Sequence, residues 1–111
     1  MTRPPRQPDI EVMFELTSLR GDGDIKFVLS GYRPIYDACP DYWTSARHEF
    51  LGVERVNTGE RALAEVWLLS PDAYPHSIWV GRKLRVAEGS RIVGTAEVLK
   101  IVNPILQTDE K

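Results

Sequence analysis

Residues 84–99, LRVAEGSRIVGTAEVL, read as a β-hairpin. Two extended runs, 83–87 and 92–102, meet at Glu88-Gly89-Ser90-Arg91. Gly89 supplies the positive φ that a tight connection between antiparallel strands requires. Gly94 interrupts the second run. A glycine inside a strand marks a bulge, a bend or the close approach of another backbone, so the sheet is expected to curve there.

Outward from the hairpin the same grammar recurs. Ile10, Val12, Phe14 and Leu16 alternate with Glu11, Glu15 and Thr17, the period of a strand with one wet face. Residues 20–24, RGDGD, read as a turn, and 25–30 as the return strand of a hairpin with the first. The acidic DGD lacks the further oxygen ligands of a calcium loop, so the turn reading stands. A short strand is expected at 53–56, a turn at 57–60 and another strand at 62–69. In the last of these Ala62, Ala64, Val66 and Leu68 share one face, and Leu63, Trp67 and Leu69 the other. Such a strand needs cover on both sides. Residues 70–77 read as an irregular crossover, 78–80 lead into the hairpin, and Asn103-Pro104 ends its second strand. The fold class is therefore all-β. It is a single closed barrel of about six antiparallel strands over residues 9–103, between flexible tails at 1–8 and 104–111.

With 111 residues the chain is one domain by size, and 42% hydrophobic with 27% charged residues is ordinary for a globular protein. The net charge of -2 provides no global field for nucleic acid, though a local basic patch remains open. Cys39 is the single cysteine, which excludes an internal disulfide and a cysteine-based metal site. No run is long enough to span a bilayer as a helix, and the start lacks an apolar leader segment. A cytoplasmic location and no membrane partner are the expectation.

Three stretches carry a resemblance. Leu84–Gly94 is one, and Gly31-Tyr32-Arg33-Pro34 and Gly52-Val53-Glu54-Arg55-Val56-Asn57-Thr58-Gly59-Glu60 precede it, in that order along the chain. They are similar to the closing hairpin, the "GYRP" and the "GVEMVMPGD" of the third, C-terminal domain of elongation factor Tu, with equal spacing between the last two. The resemblance covers roughly residues 10–102. It implies a Greek-key barrel that serves as a docking surface for protein domains and for the T stem of transfer RNA. Where that family has glutamine and arginine facing the RNA, this chain has Ile35 and Cys39. Thr44 coincides with a family residue at the same edge.

No G-x-x-x-x-G-K-[ST] loop is present, so neither nucleotide binding nor GTP hydrolysis is expected, and no cofactor is implied. The leading expectation is a non-enzymatic module that docks a protein partner, in the translation machinery on the resemblance, through Glu88, Gly89 and Arg91. The alternative is an RNA-binding module that uses Arg33, Thr44, Arg82, Lys83 and Arg91. A third reading is a small enzyme in which His48 activates the Cys39 thiol. Otherwise His48 and His76 read as surface residues without a metal set. Tyr36, Tyr42 and Trp43 read either as an aromatic contact surface or as cover for the barrel mouth. Arg33 has the alternative of pairing with a carboxylate, and Arg3 and Arg6 of touching an acidic partner.

Overall fold

The alternation that starts at Ile10 forms strand β1 (Ile10–Leu16), and its Ile10, Val12, Phe14 and Leu16 are fully buried. The computed structural model describes residues 6–17, 27–39, 42–69, 71–73 and 75–107. The turn expected at 20–24, Arg3 and the outer parts of both expected tails lie outside the described residues. The further strands are β2 (Phe27–Leu29), β3 (Ile35–Cys39), β4 (Tyr42–Phe50), β5 (Arg55–Asn57), β6 (Arg61–Leu68), β7 (Lys83–Glu88) and β8 (Arg91–Ile101). Six of the strands close into an antiparallel barrel in the order β1-β6-β4-β3-β7-β8, while β2 and β5 pair as a separate ribbon. In this order β3, β4 and β6 are successive neighbours and β1 lies beyond β6, the arrangement of a Greek key.

The terminal hairpin is as expected. Glu88 and Arg91 are partners, so Gly89 and Ser90 form the loop, with Gly89 at φ 60°. Val86 pairs with Gly94 but Ala87 with Ile92, which leaves Val93 as an extra, bulged residue. Gly94 also admits a second backbone. A Cβ there would overlap the Glu15 carbonyl oxygen of β1 and stand 3.2 Å from its carbon. Bulge and close approach thus coincide on β8, where it meets β1 as well as β7.

Several expectations need correction. β2 does not return against β1, because β6 and β8 already occupy both edges of β1; β2 pairs with β5 instead. The strand expected at 53–56 lies at Arg55–Asn57. On the outer side of β6 only Trp67 is covered, while Leu63 and Leu69 remain exposed. Pro104–Leu106, expected as tail, form a 3-10 turn capped by Asn103, and Leu106 is fully buried. Arg6 is likewise part of the fold. Its guanidinium meets both oxygens of the buried Asp9 carboxylate at 3.0 and 3.2 Å, and its carbonyl accepts the Trp67 indole N–H at 2.8 Å. Asp9 also accepts from the Leu68 amide and the Asn103 side chain, so one carboxylate ties both chain ends to β6. Burying that charge is tolerable only because each oxygen has donors.

Between β3 and β7 the backbone ladder is short, with Ile35 opposite Ala87 and Tyr36 opposite Val86. Beyond it, side chains close the seam. The Asp37 carboxylate accepts from the Arg85 amide and Nε, both at 2.7 Å. The Arg82 guanidinium donates to the carbonyls of Ala38, Ser77 and Asp37 at 2.6, 2.7 and 2.8 Å.

Candidate functional site

The strand registers gather the three resembling stretches at one end of the barrel. There β7 ends, β8, β3 and β6 begin, and β1 and β4 finish. Tyr32 joins two of the stretches directly, its hydroxyl donating to Glu88 Oε2 at 2.6 Å. The third is joined through β1: the Gly59 amide donates to the Leu16 carbonyl, and Leu16 is the partner of Gly94.

His48 stands behind this end, and it is not a surface residue. β4 alternates, so Ala46, His48 and Phe50 point inward while Arg47 and Glu49 form an ion pair outside at 2.9 Å. The imidazole is fully buried among Phe14, Tyr32, Tyr36 and Phe50, with ring centroids 5.0 to 5.7 Å away. A carbonyl oxygen accepts only, so the contact of Nδ1 with the Tyr32 carbonyl at 3.3 Å places the ring proton on Nδ1. Nε2 then accepts from the Tyr36 hydroxyl at 2.6 Å. Burial lowers the His48 pKa to about 4, against a smaller opposing effect of its backbone hydrogen bonds. The ring is neutral at pH 7. Burial also raises the Tyr36 hydroxyl well above its usual value, with the Tyr32 hydroxyl adding to it. Tyr32 is raised by its own burial first, then by the hydrogen bond to Glu88 and its charge. This buried chain fixes the end of β7 from behind.

Tyr36 therefore belongs to the core and not to an aromatic surface. Cys39 pairs with Tyr42, at the opposite end of the β3–β4 pair from His48. The structure does not bring Cys39 and His48 together, and both ring nitrogens of His48 are already engaged.

Outside, two grooves flank β3. The first, of about 220 Å³, is lined by Ile35, Trp43, Ala87, Gly89, Ser90 and Ile92. Trp43 and Ile92 are 36% and 44% exposed, and the Arg85 guanidinium lies over the Trp43 ring at 5.2 Å. The second, of about 230 Å³, is bounded by Arg33, Ser45, Arg47, Trp67, Leu68 and Leu69. Both are smaller than the roughly 300–1,000 Å³ of a typical small-molecule site.

Of the docking residues expected from sequence, Gly89 lines the first groove, Glu88 is half-buried at its back, and Arg91 is exposed opposite Glu88 at the start of β8. The RNA set is scattered. Arg33 borders the second groove, but Arg82 is committed to three carbonyls and Lys83 lies at the far end of β7, opposite Glu97. Thr44, expected at an RNA-facing edge, is buried, and its hydroxyl donates to the Leu69 carbonyl at 2.9 Å. Arg33 meets no carboxylate among the described residues.

Sequence reasoning missed Ile35 and Ile92 as groove residues, whereas Trp43 is one of the three aromatics read either as a contact surface or as cover for the barrel mouth. The available signal was the β-strand alternation, which places Ile35 on the outer face once Tyr36 is inside. Neither the models of known protein families nor the curated proteins contain a match to this chain.

Proposed function

We propose that this barrel is a non-enzymatic module that docks a protein partner through the groove beside the β7–β8 hairpin. One observation carries the reading. An apolar socket with Trp43 and Ile92 half-open on its banks sits beside Gly89, and the Tyr32–Glu88 bond holds its rim in place. A preformed socket with an aromatic bank is the geometry in which a few buried anchors supply most of the affinity. The resemblance to the third domain of elongation factor Tu supports the same reading, and with it a place in the translation machinery. RNA recognition is less well supported, because Arg82 and Thr44 spend their donors inside the fold.

The test is affinity capture from lysate of the protein's own cells, with and without nuclease. Wild type is compared with Ile92→Lys, and with Val80→Lys, which alters a more exposed apolar residue at the opposite barrel end. A stoichiometric protein that survives nuclease and is lost only with Ile92→Lys supports docking. Capture that depends on RNA, or that ignores Ile92→Lys, overturns it.

A further inference from the structure

The two grooves are one feature. Ile35 of the first is the partner of Ser45 of the second, so a single row runs across the outer face from Ile92 and Ala87 through Ile35 and Ser45 to Leu69. It crosses β8, β7, β3, β4 and the end of β6, about 19 Å at the usual strand spacing. Every residue of this row is apolar or small. Leu69 at its far end is 63% exposed.

The banks are charged, and unequally. On one side stand Arg33 and Arg47, neighbours across the β3–β4 register, and on the other Arg85 lies over Trp43. Arg47 and Arg85 each hold an acidic partner, Glu49 and Asp37. Arg33 is the cation of this face that holds none among the described residues.

We infer that the groove binds a short acidic and apolar peptide segment, with one bulky apolar side chain between Trp43 and Ile92, a second on Leu69, and a carboxylate on Arg33. The inference rests on the docking reading above and adds the chemistry of the partner. A phosphate backbone satisfies Arg33 equally well but leaves the apolar row facing water, whereas an acidic peptide with apolar anchors meets both. The guanidinium fork can take the peptide carboxylate bidentately.

The test uses a displayed library of random 12-residue peptides selected on wild type, followed by synthesis of the enriched sequences. Their Kd values are then measured for wild type, Arg33→Glu and Ile92→Lys. The expected peptides pair Asp or Glu with Leu, Ile or Phe. Arg33→Glu weakens them at least 10-fold, Lys in place of the peptide acid restores binding to Arg33→Glu, and Ile92→Lys abolishes both. Enrichment of basic or purely apolar peptides, no enrichment, or affinities indifferent to Arg33→Glu overturn the inference, as does tighter Arg33-dependent binding of a mixed-sequence 20-nucleotide RNA. If lysate capture still yields a protein that depends on Ile92, the docking reading survives that failure.

Discussion

Replacing His48 with phenylalanine separates two effects of the buried imidazole that run in opposite directions. At pH 7.5 the variant keeps the aromatic packing against Phe14 and Phe50 but leaves the Tyr36 hydroxyl, fully buried, without its acceptor. An unsatisfied buried polar group costs about 1–3 kcal/mol, so His48→Phe is less stable than wild type there. Adding Tyr36→Phe removes the stranded hydroxyl, and the double variant recovers most of the loss. Acid reverses the ranking. The folded pKa of about 4 lies below the unfolded 6.5, so the unfolded chain binds the extra proton first. Wild-type stability from this group is full above pH 6.5 and is lost progressively as the pH falls to 4. At about 1.4 kcal/mol per pH unit the whole loss is about 3 kcal/mol. His48→Phe lacks this term. Urea denaturation from pH 7.5 to 4 should therefore bring the wild-type and variant midpoints together and then cross them. A difference between the two that stays constant with pH would refute the buried neutral imidazole.

The other predictions concern the frame. Gly94→Ala places a methyl against the Glu15 carbonyl and should cost about 1–3 kcal/mol by thermal denaturation, through the β1–β8 contact. Gly89→Val meets open space but needs a positive φ, so it should cost about 1–3 kcal/mol, with Gly89→Asn clearly milder; equal midpoints for all three proteins would place the turn elsewhere. Asp9→Ala removes the acceptor shared by Arg6, Leu68 and Asn103 and should lose about 1.5–3 kcal/mol in chemical denaturation.

The hairpin and β1 were legible because their signals are local: a period of two, a glycine in the loop and a glycine at the bulge. The partner of β2 was not legible, because pairing is decided by which edges remain once β6 and β8 have taken β1. His48 was misread for a different reason. Standing between Arg47 and Glu49 it looks solvated, yet the alternation of Ala46, His48 and Phe50 with the two charged residues already marks it as inward-facing. The inner parts of the expected tails, Arg6 and residues 104–107, were misjudged because composition says nothing of Asp9, whose carboxylate finds Arg6 and Asn103 only in the folded state. Of the groove, Gly89 was legible beforehand and Trp43 only as one of two readings. Ile35, Trp43 and Ile92 become a socket only when β3, β4 and the hairpin are brought side by side.

The most direct measurement of the docking face is an amide and indole chemical-shift map of the labelled protein as the nuclease-treated, affinity-captured partner is added. Docking through the groove predicts shifts confined to Arg33, Ile35, the Trp43 indole, Ser45, Leu69 and residues 87–92, with the Trp79 indole unmoved. Shifts centred on Trp79, Val80 and Lys83 at the opposite barrel end would contradict it.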